Sequence, residues 1–190
     1  MITLPEKAVK TERLKFVPSD QGNILEIYPF YDEKKQKLLF IWLIAFGIGG
    51  LAIISQLMTP ASSELKIMIM VFAFFWAYFF YKVLKAYRWR KSGKERLIFG
   101  ENKLYYGRII GERGIMHAYD RELLGDLKKV DISEKNFFAA MGDSYWVISG
   151  EKLAFSHAGQ QIPFGLRLTK GEVHLITKRT AAYFGGKQTT

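Results

Sequence analysis

The stretch FAFFWAYFFY (72–81) runs directly into KVLKAYRWRKSGKER (82–96), and the boundary between them decides the fold. The first part has eight aromatics in ten positions. The second has seven basic residues, Lys82, Lys85, Arg88, Arg90, Lys91, Lys94 and Arg96, against one acid, Glu95. An apolar run that stops at a basic cluster is the pattern of a membrane span whose end is held on the cytoplasmic side. Working upstream, residues 38–58 (LLFIWLIAFGIGGLAIISQLM) carry no charge in 21 positions. As a helix at about 1.5 Å per residue they reach ~31 Å, one hydrocarbon thickness. The second apolar run covers 65–87. Its uncharged centre, 67–81, is short, but Lys66 and Lys82 at its edges can extend their ammonium groups to the interface. A pair of core helices in a soluble protein would not need so long an uncharged run. The first run sits behind a mixed-charge segment and no small-residue cleavage site follows it, so it is not read as a signal peptide.

Charge sets the expected orientation. The chain has 28 basic and 18 acidic residues, and most of the excess falls in 82–96. The turn between the runs, MTPASSEL, has no basic residue, and KKQK precedes the first span. Both termini are therefore expected in the cytoplasm, with a short external loop around Thr59–Glu64. The same position beside a span argues against nucleic acid as the partner of the basic cluster. Anionic lipid headgroups are a compatible partner, each cation near the surface contributing about 1 kcal/mol.

Within the spans, Ala45, Gly49 and Ala52 share spacings of four and three and offer a face of small residues for helix–helix packing. Phe72, Phe75 and Phe79 form one face of the second span and are the expected membrane contact with a protein partner.

After Gly93 the pattern changes to short strands with turn punctuation: ERLIF, KLYYGRII, IMHAY, KKVDI, YWVIS, LAFSH and QIPFG. Between them, DRELLGDL reads as a short helix or turn, and 133–144 as a polar stretch of uncertain pairing. Upstream of the spans, an extended segment is expected at 24–28. The C-terminal LTKGEVHLITKRTAAYFGG opens with Thr169 and Glu172, a capping box. Val173, Ile176, Thr180 and Tyr183 or Phe184 then form an apolar stripe over about four turns, and Gly185 and Gly186 end it. The expected domains are a lead-in at 1–37, a transmembrane hairpin at 38–91 and a β domain at 92–190.

Little in the chain suggests catalysis. There is no cysteine, which removes disulfides and thiolate ligands. His117, His157 and His174 have no metal-ligand spacing, and none lies in a span, so a haem held by membrane histidines is excluded. GRIIGERG (107–114) lacks the Lys-Ser/Thr ending of a phosphate loop. No metal and no cofactor is expected.

Three stretches carry a family resemblance: ILEIYPF (24–30), ERLIFGENKLYYGR (95–108) and IPFGLRLTKGEVHLITKRTAAYF (162–184). Together with two spans and a basic exit, they resemble small bacterial membrane proteins with a pleckstrin-homology-like cytoplasmic domain. The resemblance covers most of 20–184 and is one of shape. It implies a membrane α+β protein, with a two-helix transmembrane hairpin followed by an antiparallel β-barrel or sandwich of about seven strands closed by one C-terminal helix. The expected role is a non-enzymatic accessory, assembly or scaffolding subunit of a larger inner-membrane complex. The alternatives are a regulator that senses anionic lipid, and an enzyme completed by a partner.

Overall fold

The computed structural model describes residues 13–19, 22–60, 62–130 and 144–184. These fall into two compact units. One draws on Tyr31–Lys91 and Ser144–Ile148, the other on Met1–Phe30, Ser92–Asp143 and Ser149–Thr190. The expectations for 133–143, and for Gly185 and Gly186 as helix stops, lie outside the described residues.

The first unit is helical. Helix α1 spans Glu33–Ser55 and helix α2 spans Ser63–Ser92. At about 1.5 Å per residue they are ~35 and ~45 Å long. Asp32 caps α1, its carboxylate accepting from the Lys35 N–H at 3.1 Å, which satisfies one of the otherwise unpaired first-turn donors. A short 3-10 turn, Gln56–Met58, ends α1. Both helices are long and apolar enough to cross a membrane, and none of the 18 residues in the most apolar stretch of α2 is buried. A core helix of a soluble protein would bury one face at least.

The two helices meet through large residues on α2 and small ones on α1. The Trp76 indole N–H donates to the Phe46 carbonyl at 3.0 Å, and the Trp76 ring lies against Gly50 so closely that a Cβ there would overlap it. A Cβ on Gly47 would meet the Phe80 ring at 3.5 Å, ordinary contact. Trp76 and Phe80 stack on each other, with ring centres 5.3 Å apart. Leu39, Leu43 and Gly50 are the buried residues of this seam, together with Gln36. The expected packing face of Ala45, Gly49 and Ala52 is therefore corrected. All three are exposed, and Gly49 has open space around it. The reason is helical phase: Gly49 lies two residues beyond Gly47, which turns it about 200° around the axis.

The second unit is β-rich. Its strands are β1 (Leu14–Val17), β2 (Asn23–Ile27), β3 (Gly93–Phe99), β4 (Lys103–Ile110), β5 (Arg113–Asp120), β6 (Leu124–Lys129), β7 (Glu151–His157) and β8 (Gln160–Leu166), followed by helix α3 (Lys170–Thr180). One antiparallel sheet has the order β1-β2-β3-β4-β5 and the other β6-β7-β8. Leu25, Leu97, Leu104 and Tyr106 from the first sheet pack with Leu153, Phe155 and Phe164 from the second, and Val173, Ile176 and Phe184 cover them. Among the described residues the arrangement is a helix-covered sandwich, not a closed barrel, with eight strands in place of about seven.

Several sequence expectations change here. The extended segment expected at 24–28 is β2, which pairs along β3 with Ile27 facing Glu95, and the 1–37 segment adds a further strand, β1, paired along β2. The YWVIS segment forms no strand, and Tyr145–Ile148 belongs to the helical unit. The helix or turn expected over DRELLGDL is only a 3-10 turn at Arg121–Leu123, and β6 begins at once. Helix α3 has 11 residues, three turns in place of four. Its capping box is formed as the sequence suggests: the Thr169 hydroxyl accepts from the Glu172 N–H at 3.2 Å, and the Glu172 carboxylate accepts from the Thr169 N–H at 2.8 Å.

Candidate functional site

The basic cluster is divided among three different jobs. Lys82, Lys85, Arg88 and Lys91 are exposed along the last turns of α2. Arg90 is buried, at 4% exposure. Its guanidinium lies 4.3 Å from the Tyr145 ring centre and donates to the carbonyls of Tyr145 and Val147 at 3.4 and 3.3 Å. The Tyr145 hydroxyl in turn donates to Gln36 Oε1 at 3.0 Å, and Gln36 Nε2 donates to the Tyr87 carbonyl at 3.3 Å. Trp146 meets Trp42 edge-on at 4.9 Å. Arg90 thus anchors the 144–148 segment to the base of the hairpin, and its charge is taken up internally.

Lys94 and Arg96 follow a different rule. Alternation along β3 puts them on one face and Gly93, Glu95 and Leu97 on the other. Arg96 sits opposite Glu26 in the β2–β3 register. The Glu26 carboxylate accepts from Lys94 Nζ at 2.8 Å, from Arg96 Nη2 at 2.6 Å and from the Tyr28 hydroxyl at 2.8 Å. Burial pushes the Glu26 carboxyl up, but the hydrogen bonds from Lys94, Tyr28 and Arg96 outweigh it and hold it at about 2.

The same alternation forces Glu95 into the core, on the parity of Leu97, where it is 1% exposed. A buried carboxylate needs partners, and this one has four. It accepts from Arg108 Nε at 3.0 Å and the Tyr106 hydroxyl at 3.2 Å on β4. It also accepts from the backbone N–H of Gly165 at 2.6 Å and of Leu166 at 3.2 Å on β8. Arg108 reaches on to Glu151 on β7 at 2.8 Å. Burial raises the Glu95 carboxyl above its ordinary value, against the pull of Arg108 and the two N–H groups. Burial, reinforced by the charge of Glu95, also raises the Tyr106 phenol. Glu95 is thus a polar rivet between the two sheets. In the sequence Glu95 stands out only as the lone acid in a basic run. The available signal was its parity with Leu97.

The membrane-contact candidates Phe72, Phe75 and Phe79 are 53%, 56% and 56% exposed, uncovered by the protein itself. The three histidines are not brought together: His117 is on β5, His157 on β7 and His174 on α3. Among the described residues, no group of three or more acidic or histidine side chains is placed to hold a metal. No protein-family model matches the chain, and no curated protein matches it either.

Proposed function

We propose that the protein is a non-enzymatic accessory or assembly subunit of a larger inner-membrane complex, anchored by its helical hairpin and making protein contacts through a cytoplasmic, pleckstrin-homology-like β domain. The observation that carries this reading over lipid sensing is the division of the basic cluster. Arg90, Lys94 and Arg96 are engaged inside the protein. That removes about 3 of the ~7 kcal/mol that seven surface cations could give toward anionic lipid. The four exposed cations on α2 suffice to fix orientation. The aromatic surface of α2, too extensive for α1 to cover, offers contact area to a neighbouring helix.

The β2–β3 ladder supports the hairpin topology. Strands that flank the two helices in sequence are hydrogen-bonded neighbours, so the chain must return to the side from which it entered. The basic exit supports the cytoplasm as that side.

The test is purification of the full chain from its native membrane in mild detergent after cross-linking, with mass spectrometry of what accompanies it. A stoichiometric membrane complex, reduced by changing Phe72, Phe75 and Phe79 to Leu, is the expected outcome. Purification of the protein alone, with association that tracks anionic lipid content, would support the lipid-sensing alternative. A reporter active only in the periplasm, fused after Thr190, would reverse the orientation.

A further inference from the structure

One end of the β unit has an open groove of about 510 Å³ that neither the polar rivet nor the membrane anchor uses. Its walls are Phe16 and Val17 on β1, Phe99 at the end of β3, Arg179 and Tyr183 in and after α3, and Arg121 from the 3-10 turn. Both arginines lie over aromatic rings. Arg121 lies 4.7 Å from the centre of Tyr183, and Arg179 lies 4.5 Å from that of Phe16. Arg121 also donates to the Glu101 carbonyl at 3.1 Å. Neither guanidinium has a carboxylate partner among the described residues. A guanidinium packed over a ring still has N–H groups with which to receive a carboxylate. Acidic side chains do stand nearby: Glu101, Asp120 and Glu122 line an adjoining hollow to which Arg121 also contributes, and Asp120 is paired with Lys103 at 3.5 Å.

A second observation concerns the backbone. The Arg13 carbonyl accepts from the Tyr28 N–H at 2.8 Å, so Arg13, Lys15 and Val17 are the residues of β1 bonded to β2. Antiparallel alternation then turns the N–H and C=O of Phe16 to the open side of β1, where no further strand pairs among the described residues. A ring, two free cations and a sheet edge converge on one groove. This combination suits an extended chain with acidic side chains better than an isolated phosphate, which has no use for a strand edge.

We propose that this groove docks an extended acidic segment of a protein partner. Its carboxylates are received by Arg121 and Arg179, its main chain by Phe16, and an intervening apolar side chain by Phe99 and Tyr183. The proposal rests on the protein-contact reading above and names the contact surface.

The test uses full-length protein in detergent micelles and a blocked, fluorescein-labelled hexapeptide alternating glutamate and leucine, read by anisotropy. Saturable binding is expected, weaker by at least about tenfold in the doubly substituted Arg121→Gln, Arg179→Gln protein, because two charge-assisted contacts are lost. The Arg121→Lys, Arg179→Lys protein should retain binding better than the Gln pair, which separates loss of charge from loss of fold. Equal binding by the Gln pair, or equal binding of a peptide with lysine in place of glutamate, would overturn the proposal. So would displacement by inorganic phosphate or phosphatidylglycerol vesicles as effective as that by unlabelled peptide. Co-purification reads the broader function separately. A native complex that survives the Gln substitutions leaves the accessory role standing and removes the groove from it. Peptide binding without any native complex does the reverse.

Discussion

Replacing Glu95 with alanine is the most informative perturbation of the β unit, because one side chain joins both sheets. The substitution deletes an acceptor for Arg108, Tyr106 and the N–H groups of Gly165 and Leu166. Breaking a buried pair by removing one partner typically costs about 3–5 kcal/mol. Arg108 keeps its bond to Glu151, and Tyr106 keeps one to the Pro163 carbonyl at 3.3 Å, which argues for the lower end. The two N–H groups on β8 lose their carboxylate acceptor, and each buried donor left unsatisfied costs roughly 1–3 kcal/mol. A loss of about 3 kcal/mol corresponds to a fall in melting temperature on the order of 12–20 °C for a domain of this size. The assay must report on the β unit alone. All four tryptophans, Trp42, Trp76, Trp89 and Trp146, lie in the helical unit, so tryptophan emission is blind to it. Hydrogen exchange of the intact protein in detergent, followed at Gly165 and Leu166, is the direct measurement. Both amides should lose protection in Glu95→Ala, and Glu95→Gln, which keeps one acceptor oxygen, should fall between. A shift below about 4 °C with unchanged exchange at both amides would refute the rivet.

Further outcomes follow from other contacts. Gly50→Ala should disturb the hairpin, at a cost of about 1–3 kcal/mol for overpacking against Trp76, and shift tryptophan emission. Gly49→Ala should leave emission unchanged. Thr169→Ala should cost about 1 kcal/mol through loss of the α3 cap, seen as earlier melting of the β unit with its fold retained. Glu26 is held at about 2 against an ordinary 4.5, so its contribution is present above pH 4.5 and is lost as the pH falls toward 2. Because Lys94 and Arg96 are partly exposed, solvent screening reduces that contribution to about 1–2 kcal/mol. Wild type and Glu26→Gln should therefore differ in urea stability at pH 6 and converge near pH 2.

The features that sequence made legible are those with strong local patterns. Two uncharged apolar runs became two long helices, and the Thr169–Glu172 spacing became a formed capping box. The misreadings came from tertiary choices that no local pattern contains. YWVIS has strand-forming residues, but Tyr145 finds Gln36 and Arg90 at the hairpin base, and that binding competes with the sheet. Ala45, Gly49 and Ala52 obey the small-residue spacing, yet Gly47 and Gly50 lie under Phe80 and Trp76 because α1 turns that line toward its partner. The basic run reads as one cluster in sequence. Helix periodicity up to Ser92 and strand alternation after Gly93 then distribute its members among solvent, the 144–148 segment and Glu26. The arginine groove had no local signal, since its walls come from β1, β3, the 3-10 turn and α3.

The ladder between β2 and β3 also sets an order of events during synthesis. Strand β2 emerges from the ribosome before either helix, and its partner β3 only after both. The first two strands must wait, unpaired along that edge, until both helices have been made. Only then can Ile27 meet Glu95 and the core begin to close. Closure of the β unit thus reports that both helices have been made. A chain that stopped within α2 would leave β2 with an open sheet edge that proteolytic quality control can recognise.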